Sequence, residues 1–101
     1  MLEMNPITVE GETFLAITLK LPKTNFMAIT NEIGYIMCGA LDVALLNEKL
    51  KDRKIVAARA VGVRTIEQLL EAPLESVTLE AEELGINVGM KGKDALLKMK
   101  Y

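Results

Sequence analysis

Apolar and polar positions change their period partway along the chain. Residues 4–9 alternate weakly and stop at Glu10-Gly11, a pair suited to a tight hairpin turn because glycine accepts a positive φ. Residues 13–21 carry the strongest strand signal, since Thr13, Phe14, Leu15, Ile17, Thr18 and Leu19 are β-branched or bulky. Pro22 ends that run, because proline has no N–H to give a ladder. Residues 26–30 and 33–38 read as a second hairpin turning at Asn31-Glu32. Its second arm is apolar almost throughout, the pattern of a central strand buried on both faces.

From Asp42 onward the period becomes helical. Val43, Leu46 and Leu50 fall on one stripe, widened by Ala44 and Leu45, which predicts a helix over 42–53. Asp42 stands at its N-cap or first turn, where a carboxylate meets unpaired N–H groups. Residues 55–61 read as a strand of small side chains, so 33–38, 42–53 and 55–61 form one right-handed β-α-β crossover with parallel strands. Thr65-Ile66-Glu67-Gln68 matches the capping box, and Pro73 closes the helix it starts. A further helix is expected within 74–84, with Leu74, Val77, Ala81 and Leu84 on one face and Gly85 as the residue that ends it. A last short helix covers about 94–99. The pattern therefore predicts a single α+β domain over residues 1–101. Its sheet is mixed and mostly antiparallel, of about five strands: two N-terminal hairpins plus one β-α-β crossover, with helices packed on it.

Composition narrows the function classes. Half of the 101 residues are hydrophobic, more than the core of so small a domain needs. The excess predicts a homo-oligomer, with apolar surface buried against another copy. Twelve basic against fourteen acidic residues give a net charge of −2, and the pI is near 5.2, which argues against a nucleic-acid partner. The longest apolar run, 33–41, is nine residues and holds two glycines, far short of the roughly 20 that span a membrane, so no membrane partner is expected. One cysteine and no recognisable signal peptide point to a reducing cytoplasm. Histidine is absent, which removes Ser-His-Asp chemistry, Cys-His dyads within one chain and His-ligated zinc.

Several residues remain as chemical candidates. Cys38 ends the predicted central strand just before a glycine and a helix start, a geometry that presents a nucleophile and lowers a thiol pKa. The alternative is a buried cysteine serving as a small hydrophobe. Asp42 could act as a general base if it faced a cleft, although capping already accounts for it. Val61-Gly62-Val63-Arg64-Thr65 brings an arginine to a capped helix start, an anion-binding geometry that lacks the spacing of a P-loop. Arg59, a charge among alanines, belongs either on a solvated edge or in a pair. Lys23-Thr24-Asn25 is a polar loop between strands that could help line a pocket or serve only as a turn. Lys23, Asn25, Arg59, Arg64 and Thr65 are thus the candidate ligand residues, and Cys38 with Asp42 the candidate catalytic ones. No metal site and no cofactor is assigned. Residues 62–70 superficially resemble the start of a helix-hairpin-helix element, but the second hairpin is not evident.

Three runs taken together carry a family resemblance: Leu21-Pro22-Lys23-Thr24-Asn25-Phe26, Gly34-Tyr35-Ile36-Met37-Cys38-Gly39-Ala40-Leu41-Asp42, and Arg59-Ala60-Val61-Gly62-Val63-Arg64-Thr65-Ile66. The chain resembles the YunC-like family of small bacterial and archaeal proteins, a family of unknown function, over nearly its whole length. The resemblance implies one compact α+β domain and no particular activity, so it transfers no functional residue. The residues themselves favour a homo-oligomeric protein that binds a small anionic molecule, with a Cys38-dependent enzyme or redox sensor as the alternative.

Overall fold

A computed structural model describes residues 2–22, 24–39, 47–48 and 51–100. Six strands form one sheet: β1 (Leu2–Val9), β2 (Glu12–Leu21), β3 (Thr24–Thr30), β4 (Gly34–Met37), β5 (Val56–Arg59) and β6 (Ser76–Val77). Their spatial order is their chain order. Every neighbouring pair is antiparallel except β4 and β5, which run parallel as the crossover predicts. Of the expected 42–53 helix, Asn47 and Glu48 are helical and Lys51–Arg53 form a 3₁₀ turn; the rest lies outside the described residues. Three short helices follow: α1 (Ile66–Glu71), α2 (Leu79–Glu83) and α3 (Gly92–Leu97).

The local chemistry explains most of these boundaries. Glu10 and Gly11 both take positive φ, 50° and 82°, the two-residue turn that matches the twist of a hairpin. Asn31 organises the second hairpin: its Oδ1 accepts from the N–H groups of Ile33 (2.8 Å) and Gly34 (3.0 Å), and its Nδ2 donates to the Met99 carbonyl (2.9 Å). One side chain thus closes a turn and fastens the C-terminal segment to it. Gly34 is where β4 meets β5 most closely. A Cβ there would collide with the Val56 carbonyl oxygen and lie 2.8 Å from the Val56 Cβ.

The α+β class and the mixed, mostly antiparallel sheet are as expected, with six strands for the expected five or so, while the helix expected within 74–84 starts only at Leu79. Leu74 and Val77 are buried as helical spacing suggests, but from extended chain. Glu75 N–H donates to the Arg59 carbonyl (2.7 Å) and Thr78 N–H to the Ala57 carbonyl (2.9 Å), so this segment is β6. Thr78 then converts strand to helix. Its Oγ1 accepts from Ala57 N–H (3.1 Å) and Ala81 N–H (3.2 Å) and donates to the Ile55 carbonyl (2.7 Å). It is the one polar side chain in the core among the described residues. The last helix also begins earlier than expected, at Gly92, and ends at Leu97.

Gly85 ends α2 as foreseen. Gly85 N–H reaches the Glu82 carbonyl and Ile86 N–H the Ala81 carbonyl, with Ile86 and Ala81 both fully buried.

All three helices supply residues to one core on one side of the sheet, where Phe14, Met27, Ile29, Ile36, Leu69 and Leu96 pack together. Helices α1 and α3 cross closely at Gly92: a Cβ on it would strike the Leu69 carbonyl oxygen and come within 2.9 Å of Ile36 Cδ1. A smaller cluster lies on the other side of β4 and β5, where Tyr35, Met37 and Ile55 surround the fully buried Ala57. Strand β4 is therefore fully buried on its helix side and half-buried on the other, less enclosed than its apolar sequence implies.

Candidate functional site

The parallel pair defines one end of the sheet. Met37 is level with Arg59, and Ala60 N–H donates to the Met37 carbonyl (3.0 Å), so β4 and β5 finish side by side. A Cβ on Gly39 would lie 3.7 Å from Val61 Cγ1. The start of β3 borders the same end through the Asn25 carbonyl. Asn25, Cys38 and Arg59 are thus gathered along one rim, the carboxyl ends of parallel strands, where open α/β sheets receive ligands.

They do not face the same way. Met37 and Arg59 share the side away from the helices, so Cys38, one residue on, turns into the core. Its thiol is only 6% exposed. Met27 N–H donates to Cys38 Sγ at 3.5 Å, while Cys38 N–H donates to the Met27 carbonyl at 3.0 Å. The sulfur therefore replaces a carbonyl at the last rung of the β3–β4 ladder, with a weak contact to the Asn25 carbonyl at 4.0 Å. This corrects the picture of a nucleophile presented at the sheet edge: strand alternation puts position 38 with Ile36 on the core side. An enzymatic reading of Cys38 finds no support in this arrangement.

Arg59 is paired rather than merely solvated. Its Nε and one terminal nitrogen reach Glu75 Oε1 at 2.9 and 2.8 Å, with the Arg59 side chain 28% exposed. Ser76 Oγ donates to the same oxygen at 2.8 Å. The Ser76 hydroxyl and then the Arg59 guanidinium hold the Glu75 carboxyl below its ordinary range. Tyr35, on the same side of β4, has its hydroxyl pKa raised by burial.

Arg64 and Thr65 lie in the loop that follows this rim. Thr65 caps α1, its Oγ1 accepting from Gln68 N–H at 3.0 Å. The Gln68 side chain returns to Arg64 N–H (2.7 Å), one residue earlier than the usual capping-box return to the cap itself. Arg64 is exposed and makes no ion pair among the described residues. Lys23 and Asp42 lie outside the described residues.

Cavities also lie elsewhere among the described residues. One, of about 910 Å³, runs along the opposite end of the sheet between Glu12, Phe14, Asn31, Ile33, Met99 and Lys100. Another, about 260 Å³, lies beside the start of α2 near Asn47, Asp52, Glu80 and Glu83. Neither contains a candidate ligand or catalytic residue read from the sequence. Asn31 reads as a turn residue, but its link to Met99 does not show in the sequence, and Thr78 was missed although a Thr stands ahead of the glutamates of a helix's first turn.

A family model described as a domain of unknown function (DUF1805) matches residues 37–99, the stretch from the end of β4 through α3. The chain is also 73% identical over 99 residues to the uncharacterized protein YunC of Bacillus subtilis (strain 168), with 98% of each chain covered. The chain belongs to the DUF1805 family. The YunC-like resemblance seen in its three sequence runs is thereby shown. The fold agrees with that of a solved relative, the crystal structure of a protein of unknown function, TA1206, from Thermoplasma acidophilum. That likeness has a TM-score of 0.87 at 27% identity and covers 99% of this chain and 94% of that one. The DUF1805 match begins at Met37 and so leaves β1–β3 outside it, whereas both full-length likenesses include them. No helix among the described residues is long and apolar enough to cross a membrane.

Proposed function

We propose that this DUF1805 chain is a homo-oligomeric binding protein whose ligand, a small anion, is met at the rim where β4 and β5 end. The observation that carries this reading is Arg59, a half-buried guanidinium held in place by Glu75 at the carboxyl end of a parallel pair. Glu75 neutralises Arg59 as it orients it, so the ligand's charge must also be balanced by a second cation. Arg64, exposed and in the next loop, supplies one, and Asn25 borders the same rim. Guanidinium groups suit carboxylates and phosphates because they donate two parallel N–H bonds. The oligomeric part of the proposal is supported by an apolar sheet face that the described helices leave uncovered.

Thermal unfolding in the presence of phosphate, nucleotides and carboxylates tests the ligand. At a hundredfold excess over its Kd, a true ligand stabilises by about 2.7 kcal/mol. The shift should disappear in Arg59→Ala and shrink in Arg64→Ala. No stabilisation by any of these anions, or an equal shift in both variants, would overturn the proposal.

A further inference from the structure

We propose that the face of β1–β3 turned away from the helices is the contact surface between two copies of this chain, packed sheet against sheet; this rests on the homo-oligomeric reading above and gives it a place. The register assembles the surface. Leu2 is opposite Leu19, Leu19 is opposite Phe26, and Met4 is opposite Ile17, so these side chains form one continuous patch across three strands. Among the described residues, none of them belongs to either packed cluster. Leu2 is 58% exposed, Met4 55%, and Leu21 at the end of β2 46%.

The other face of the same strands shows that this patch is not a core whose cover is merely thin. On the helix side, the outer part of the hairpin carries Glu3, Asn5, Thr18 and Lys20, with Lys20 Nζ 3.8 Å from Glu3. The hairpin's polarity is therefore reversed there: the helix side is solvated and the far side is apolar. A half-exposed apolar face rimmed by polar residues marks an interaction site in a soluble protein.

A second copy fits this face better than other partners do. No position of β1–β3 on that face carries a charge, so two copies meet without like-charge repulsion, and a charged partner would find nothing to pair with. Three strands about 4.8 Å apart, rising about 3.3 Å per residue over about seven residues, give a face of roughly 14 by 23 Å. Two such faces cover roughly 650 Å² in plan and, corrugated, remove roughly 1,000 Å² from water, the least that a specific interface buries. Flat sheet faces are self-complementary about a twofold axis and stack about 10 Å apart. Edge-to-edge pairing is disfavoured because Pro6 interrupts the outer strand. A lipid surface would call for a basic rim, whereas Lys20, the described lysine beside the patch, lies 3.8 Å from Glu3.

Light scattering on the full chain at micromolar concentration tests the assignment. The parent should have twice the 11.1 kDa chain mass. Met4→Glu and Leu19→Glu should each weaken association at least about tenfold, because each buries an unpaired charge. Asn5→Glu, beside Met4 but on the opposite face, should stay dimeric. Met4 is exposed enough that its variant keeps the fold, which circular dichroism verifies. A monomeric parent would overturn both this assignment and the homo-oligomeric reading, as would a monomer that instead floats with phosphatidylcholine vesicles. An oligomer that survives Met4→Glu and Leu19→Glu unchanged would overturn the assignment of the face alone.

Discussion

On the helix side of the sheet, Met27, Ile29 and Ile36 are sealed from water beneath Leu69 and Leu96. On the other side of the adjoining strands, Ile17, Leu19 and Phe26 are only half-buried, and Leu2 and Met4 are mostly exposed. The residue types are the same, so hydrophobicity did not choose the core. The helices did, and three local devices place them: the glycine at position 92, the Thr78 hydroxyl and the Asn31 amide. Gly92 and Asn31 hold α3 and the segment after it, Thr78 fixes the start of α2 against β5, and no equivalent is found over β1 and β2 among the described residues. A strand's alternation announces two apolar faces equally well, and it is the covering layer that makes one of them a core.

The sharpest way to break this comparison is to make the same change on both faces. Ile29 and Ile17 sit on neighbouring strands and point oppositely. Ile29→Ala should cost about 3–4 kcal/mol, from lost transfer energy and the cavity left behind. Ile17→Ala should cost about 1 kcal/mol in dilute solution, where water refills the site. If the far face is shared between copies, the cost of Ile17→Ala grows with protein concentration and that of Ile29→Ala does not. Urea unfolding at two concentrations reads both; equal costs for the two variants would erase the distinction between the faces.

Next in size is Gly92→Ala. Helix propensity favours alanine by up to about 1 kcal/mol. The Leu69 carbonyl in its way is main chain and cannot turn aside, so α1 and α3 must separate. The clash should win, leaving a net loss of about 2–3 kcal/mol in chemical denaturation. Thr78→Ala removes a cap and leaves the Ala57 and Ala81 N–H groups and the Ile55 carbonyl without partners. The expected loss is about 2 kcal/mol. Thr78→Ser, which keeps the hydroxyl, should recover most of it.

The sequence made the first part of this legible. Strands β1 to β5, the parallel crossover, the Thr65 cap and the Gly85 stop all follow from local chemistry that acts within a few residues. The segment 74–84 misled because Leu74, Val77, Ala81 and Leu84 fit a helical period while the buried Leu74 and Val77 are reached from extended chain. Periodicity records which side chains are buried and cannot tell which backbone buries them. The pairing that makes β6 a strand, Glu75 to Arg59 and Thr78 to Ala57, spans about twenty residues and left no local mark. The rim was legible in the same uneven way. Asn25, Cys38 and Arg59 do come to one end of the sheet, but their split between two faces depends on register, and a shift of one residue would have reversed it.

The smallest effect compares the ion pairs on the two sides, and its sign follows from two lowered carboxyl pKa values. On the helix side, Glu71 is held below its ordinary range first by its hydrogen bond from Lys93, at 2.9 Å, and then by the charges of Lys93 and Lys91. On the other side, Glu75 is held down by Ser76 and Arg59. A carboxyl whose folded pKa is depressed lends stability above its unfolded value, about 4.3, and loses it as pH falls through the folded value. With no histidine in the chain, no side chain of ordinary pKa titrates between pH 5 and 8. The melting temperature should therefore stay level across that range and fall below about pH 4.5. Glu71→Gln and Glu75→Gln should each make the acid fall shallower by a small amount, since both carboxylates are exposed and screened by water. Glu71 ties α1 to the start of α3, so its variant should also loosen the helix layer at neutral pH, seen as faster amide exchange at Gly92. Glu75→Gln should leave that exchange unchanged and act only at the rim, where it frees Arg59 from its neutralising partner. A transition centred near pH 6 or 7 in the parent would mean that a group other than these carboxylates governs its response to acid.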